Sequence, residues 1–450
     1  MRRHLVRRSV NLLIAGLLFL GIEFMLGDEL GRTAAGLALM ATIAWLWVSE
    51  ALHVSVTALL VPLLAGLSGA MAFDEALLQF ADPVIFLFIG GFALAAGLQR
   101  QGLDRWMAAE VLSRAGSDFG RAVRWLFWLT AFLSMWISNT ATAAMMLPLA
   151  LGLLTAVSPE RDRATHIYVL LGVAFSANIG GIGTLVGSPP NAIAASNVGI
   201  SFAGWLVWGV PLVLLLMPLM EIALRRALKP RLDFFVPQTE VARVWTRRQK
   251  WMMALFGLVV LLWVFGAPLG AKLGIVRGYD AAVAVFALLC LHGLGLASWA
   301  DIERGTEWGV LLLFGGGLAL SKVLAESGAA AWLAAQLGEP LLALPVLACV
   351  ALMVLFALLL TEFTSNTASA ALLIPLFLGM APHIDSVPLA VLVAVGTSCA
   401  FMLPVATPPN AIVFGTGKVP QREMIRCGVW VTVLVYPLLI LVAALALKLY

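Results

Sequence analysis

Two short polar segments interrupt apolar sequence in nearly the same form. Ser138-Asn139-Thr140 opens a stretch that continues Ala-Thr-Ala-Ala-Met-Met-Leu-Pro148, and Ser365-Asn366-Thr367 opens its near copy, Ala-Ser-Ala-Ala-Leu-Leu-Ile-Pro375, 227 residues later. A second pair lies downstream: Gly187-Ser188-Pro189-Pro190-Asn191 and Ala406-Thr407-Pro408-Pro409-Asn410. Asn offers an amide donor and a carbonyl acceptor, and Ser and Thr hydroxyls act as either. Pro-Pro removes two backbone donors and forbids continuous helix, which leaves carbonyls and a fresh helix N-terminus unpaired. Helix N-termini attract carboxylate or sulfate, whereas unwound carbonyls and hydroxyls suit a small hard cation such as Na+. The chemistry open to these residues is joint binding of an anion and a cation.

A lone Ser or Thr in an apolar helix more often bonds its own i−4 carbonyl, and a lone Asn more often glues two helices together. Duplication of both motifs, in one order and at similar separation, separates this pattern from that background. No Arg or Lys lies near the motifs. Burying a bare dianion there would cost on the order of tens of kcal/mol, so bound cations must accompany it. Cation-coupled symport follows, with a protonated substrate and proton coupling as the other route. Glu362 stands just before the second tip, where the first half of the chain has Met135. An acid at that depth is either a functional group or a structural hydrogen-bonding one.

The elements that must position these residues are membrane helices. Of 450 residues 62% are hydrophobic and 12% charged, and the mean hydropathy is +1.00. Recurrent apolar stretches supply about eleven crossings of a ~30 Å hydrocarbon layer, plus two re-entrant hairpins, in an all-α polytopic fold. A soluble enzyme is excluded, and the basic residues fall in short loops and form no nucleic-acid patch. Cys290, Cys349, Cys399 and Cys427 show no metal or disulfide spacing, and no HExxH or GxSxG is present. A channel would need a continuous polar pore. Residues 1–30 read as a first crossing rather than a signal peptide, since Glu23 interrupts the run and no small-residue cleavage site follows.

Residues 31–228 then form one repeat: three crossings, a hairpin at about 122–157, a broken helix at about 167–198 and a last crossing. A polar linker at 229–250 leads to a second repeat at 251–450, with its hairpin at about 341–382 and its broken helix at about 386–415. An odd number of crossings per repeat inverts the second copy. With the N-terminus in the cytoplasm, 23 of the 28 Lys and Arg fall on the inner side, as the positive-inside bias requires of a cell inner-membrane protein. The first hairpin then opens from the cytoplasm and the second from outside.

The duplicated motifs resemble those of the divalent anion/sodium symporters, the family of Na+-coupled dicarboxylate, citrate and sulfate carriers, over nearly the whole chain. The resemblance implies a homodimer of elevator transporters with no cofactor beyond Na+ as coupling ion. Carried over by motif, it implies one Na+ site at Ser134, Ser138, Asn139 and Gly187, and another at Thr361, Thr364, Asn366 and Ala406. Substrate carboxylates would meet Asn139, Thr140, Ser188, Ser365, Asn366, Thr367 and Thr407, with Pro190 and Pro409 shaping the turns. Thr is the commoner residue where this chain has Ser188. The implied activity is symport of a C4-dicarboxylate; exchange, or transport of citrate or sulfate, uses the same motifs.

Overall fold

The computed structural model describes residues 2–114, 116–235, 245–275, 278–342 and 344–449. Among these the regular structure is helical, apart from an isolated β-bridge between Asp118 and Phe235. Nine of the described helices are long and apolar enough to cross a membrane. Val54–Ser68, Tyr279–Gly293, Val346–Leu360, Asn366–Met380 and Ser386–Ser398 are apolar but shorter. Three of the eleven expected crossings, at Val54–Ser68, Tyr279–Gly293 and Ser386–Ser398, are thus helices below that length, while Asn139–Ala156, a limb of the first hairpin, is among the nine.

Both Ser-Asn-Thr tips fall between such pieces. Phe119–Ser134 and Asn139–Leu153 meet at the first, and Val346–Leu360 and Asn366–Met380 meet at the second. Limbs of 15 or 16 residues are about 22–24 Å long at ~1.5 Å per residue, short of the hydrocarbon thickness. The Pro-Pro pairs restart helices after an unwound stretch: Arg163–Gly180 gives way to Pro189–Val198, and Ser386–Ser398 to Pro408–Gly415. Proline is well placed there because the first turn of a helix has no use for its missing N–H.

These broken helices form the centre of the molecule. Every side chain of Ser386–Ser398 from Pro388 onward is buried, as is Thr165–Gly180. Each second piece packs across to the other half of the chain. Pro189–Val198 lies against Ser386–Ser398 and Asn366–Met380, while Pro408–Gly415 lies against Arg163–Gly180 and Asn139–Leu153. The long helices Phe202–Leu228 and Gln421–Leu449 pack together beside them.

A second group of helices packs through small residues. Pro83–Arg100 lies on Tyr279–Gly293, and Val54–Ser68 on Trp308–Glu326. A Cβ added at Gly90 would stand 2.5 Å from Ala284 Cβ, and one at Gly316 would stand 2.5 Å from Ala58 Cβ. Both offsets are 226 residues, so the two contacts are one contact with the partners exchanged. The connectors Leu103–Arg114 and Ala329–Leu342, one before each hairpin, are helices as well.

Candidate functional site

Four helices begin at one cavity of about 530 Å3. They are Asn139–Leu153, Pro189–Val198, Asn366–Met380 and Pro408–Gly415, and their N-cap residues Ser138, Ser188, Ser365 and Thr407 all line it. Ser138 Oγ accepts from Ala141 N at 3.4 Å and Thr407 Oγ1 from Asn410 N at 3.3 Å, whereas Ser188 and Ser365 make no capping bond. The dipoles of all four helices therefore converge on a shared space from both halves of the chain, with orphan N–H groups at the starts of Asn139–Leu153 and Asn366–Met380, and this favours an anion. Thr140 and Thr367 also line the cavity, and neither makes a hydrogen bond among the described residues. Their hydroxyls are free for a ligand.

The tip asparagines are held by the same arrangement twice. Ser134 Oγ donates toward Asn139 Oδ1 at 2.6 Å and the Ala177 carbonyl at 2.7 Å. Thr361 Oγ1 donates toward Asn366 Oδ1 at 2.7 Å and the Thr397 carbonyl at 2.6 Å. In each half a hydroxyl one turn back joins a hairpin tip to a broken helix and clusters three oxygens. Around Gly187 the clustering is tighter. A Cβ there would lie 2.6 Å from Gly181 O and 3.0 Å from both Ser134 O and Met135 O. Backbone carbonyls gathered at a residue without a side chain form the donor set that suits a hard cation.

The unwound stretches are braced by the asparagines of the Pro-Pro-Asn motifs. Asn191 Nδ2 donates to the carbonyls of Gly181 at 2.8 Å and Thr184 at 2.7 Å. Asn410 Nδ2 donates to the carbonyls of Ala400 at 3.2 Å and Leu403 at 3.1 Å, the corresponding positions. Each asparagine satisfies carbonyls that the break in the helix would otherwise orphan.

Of the expected site residues, the cavity brings together Ser138, Asn139, Thr140, Gly187, Ser188, Ser365, Asn366, Thr367, Ala406 and Thr407. Ser134 and Thr361 lie behind the tips as buried supports. Thr364 Oγ1 is engaged with Ser369 Oγ at 2.5 Å and the Leu360 carbonyl at 3.2 Å. Pro190 and Pro409 are buried, and it is their neighbours Pro189 and Pro408 that face the cavity.

A family model described as a citrate transporter, CitMHS, matches residues 44–396. The chain belongs to this transporter family. An uncharacterized transporter of Haemophilus influenzae is 48% identical over 411 residues, covering 88% of each chain. The sodium-dependent dicarboxylate transporter SdcS of Staphylococcus saprophyticus is 32% identical across 97% of this chain and 91% of its own. Among solved structures, the Alcanivorax borkumensis YdaH transporter has the same fold, with a TM-score of 0.60 at 16% identity over 83% of this chain and 88% of that one. The resemblance to divalent anion/sodium symporters, drawn from the duplicated motifs, is thereby borne out. This CitMHS-family chain is a multi-pass membrane transporter, as its relatives are, and not an enzyme.

Among the described residues the lining of the CitMHS-family cavity contains no Lys, Arg or His, but it does contain Glu50 and Glu307. Both stand at helix ends, next to Arg32–Ser49 and Trp308–Glu326, where sequence alone does not tell a cavity wall from a loop. Asn178 was also missed. Fully buried in Arg163–Gly180, it donates from Nδ2 to Thr407 Oγ1 at 3.0 Å, Ala400 O at 3.3 Å and Asn410 Oδ1 at 3.3 Å. It is a single polar residue with no copy in the second half, where Thr397 holds the matching place.

Proposed function

We propose that this transporter moves a C4-dicarboxylate of the succinate, malate or fumarate type together with Na+. One observation carries the reading: four helix N-termini and two copies of the hydroxyl–asparagine pair surround a cavity with no basic side chain. Such a cavity attracts carboxylates through N–H groups and hydroxyls, and it leaves charge balance to cations. The similarity to a sodium-dependent dicarboxylate transporter supports both partners. In this reading Ser134, Ser138, Asn139 and Gly187 hold one Na+, and Thr361, Thr364, Asn366 and Ala406 hold a second. Asn139, Thr140, Ser188, Ser365, Asn366, Thr367 and Thr407 receive the substrate carboxylates between them.

The exchanged contacts Gly90–Ala284 and Gly316–Ala58 favour two inverted-topology repeats over residues 31–228 and 251–450. On that basis the hairpins, broken helices and last crossings slide as one body against a scaffold that also forms a homodimer. The charge distribution in the loops supports a cytoplasmic N-terminus in the cell inner membrane. The scaffold ends bearing Glu50 and Glu307 then face the cytoplasm.

The family description favours citrate as a second reading for the same cavity. Uptake of labelled succinate into proteoliposomes, with citrate, sulfate and malate as competitors and unlabelled succinate inside as a test for exchange, separates these substrates and modes. Competition by C4-dicarboxylates above citrate and sulfate supports the proposal, and preference for citrate or sulfate overturns its substrate class.

A further inference from the structure

Both unwound stretches must be fastened to their hairpins, and the two halves of the chain do this at matched positions with opposite chemistry. In the first half Thr184 Oγ1, on the unwound stretch, donates to the Met135 carbonyl of the hairpin at 2.5 Å. The same hydroxyl accepts from Gly187 N at 3.2 Å. In the second half the position matching Met135 is Glu362, and the position matching Thr184 is Leu403. Leu403 has no hydroxyl to offer. Instead the Glu362 carboxylate reaches from the hairpin and accepts from the backbone N–H groups of the unwound stretch. Oε1 accepts from Phe401 N at 2.8 Å and Met402 N at 3.0 Å; Oε2 accepts from Met402 N at 3.0 Å and Leu403 N at 3.1 Å.

We infer that Glu362 and Leu403 form the second of two hairpin clasps, equivalent to Met135 and Thr184, and that Glu362 is thereby the positioning residue of the second cation site. The geometry gives the reason. The stretch that Glu362 holds runs directly into Ala406 and Thr407 on the cavity wall, and Glu362 follows Thr361, whose hydroxyl bonds the tip Asn366. A 2% exposed carboxylate with both oxygens accepting backbone N–H groups orders several residues at once. Without it the N–H groups of Phe401, Met402 and Leu403 lose their acceptor together. The pairing also explains why an acid is needed at this depth in one half alone: Thr184 brings its own hydroxyl and takes only the backbone carbonyl of Met135, whereas Leu403 has no hydroxyl and the hairpin side chain must supply the polar group.

The inference rests on the Na+-coupled reading for its effect on cations, but the clasp itself can be tested without it. Glu362→Met places the first-half residue at the hairpin, and adding Leu403→Thr supplies the hydroxyl that the first half uses. Cys399 is fully buried at the start of the clasped stretch, so its labelling by a maleimide, read by mass spectrometry on the full-length protein in detergent, reports the clasp directly. The single variant is expected to raise Cys399 labelling about tenfold and the Na+ concentration for half-maximal uptake about tenfold. The double variant is expected to bring both back to within about threefold of wild type. If Glu362→Met does not yield folded protein, Glu362→Gln and its Leu403→Thr double are compared by the same labelling. Unchanged labelling in the single variant, or a double no better protected than the single, overturns the clasp. Wild-type uptake that ignores Na+ while labelling rises and is rescued as expected would overturn the Na+ reading and leave the clasp standing.

Discussion

Asn178 reaches from the first broken helix to Thr407, the N-cap of the restarted second one, across 3.0 Å. This bond joins the two halves of the chain directly behind the cavity. It ties the first broken helix to the start of the restarted helix in the second half. The same amide group also meets the Ala400 carbonyl and Asn410, so a single side chain braces the unwound stretch and its helix start.

Replacing Asn178 by Leu keeps the volume approximately and removes the donor. Leaving buried acceptors unpaired costs about 1–3 kcal/mol, or roughly fivefold to a hundredfold if the cost falls on the substrate site. Substrate KM should rise in that range, with a smaller change in maximal rate. A lower melting temperature with unchanged KM would show that Asn178 serves packing alone.

Thr140 and Thr367 carry free hydroxyls at the cavity wall. If each donates to a substrate carboxylate, losing one such bond costs about 1.5–3 kcal/mol, roughly tenfold to a hundredfold in apparent affinity. Thr→Ser at either position should be mild and Thr→Val severe, as measured by succinate KM in proteoliposomes. Equal effects of Ser and Val at both positions would show that shape, not the hydroxyl, is recognised.

Gly187 is a sharper probe of the proposed cation site. Gly187→Ala puts a methyl group 2.6 Å from Gly181 O and 3.0 Å from Met135 O and from the carbonyl of Ser134, itself a proposed ligand. Sodium-stimulated uptake should fall below a tenth of wild type while the protein still elutes as a folded species. Gly415→Ala is the control, because a Cβ at Gly415 meets nothing within 4 Å. Normal Na+ response in Gly187→Ala would remove these carbonyls from the cation site.

Sequence made the broad plan of the molecule legible because its strongest signals are those of a bilayer. The helices Arg32–Ser49, Pro83–Arg100 and Trp308–Glu326 match the apolar runs of the sequence at 33–50, 84–100 and 308–325 to within a residue. The site was legible for a different reason: the tips and Pro-Pro-Asn turns occur twice, and repetition lifts them above single polar residues of the same type. Asn178 has no copy and so stayed hidden in an apolar run. Glu50 and Glu307 stayed hidden because a carboxylate at a helix end reads as solvated until the packing of other helices makes that end a cavity wall. Leu103–Arg114 and Ala329–Leu342 lack the unbroken apolar length by which the crossings were recognised.

The central claim is that one cavity couples an anion to Na+ without any basic residue. Uptake of labelled succinate into proteoliposomes with an empty lumen tests this most directly, with an inward gradient of Na+, of K+ or of protons imposed in turn. The account predicts saturable uptake with Na+ and uptake under K+ or a proton gradient alone no higher than in protein-free vesicles. Equal uptake with no Na+ on either side of the membrane would contradict it.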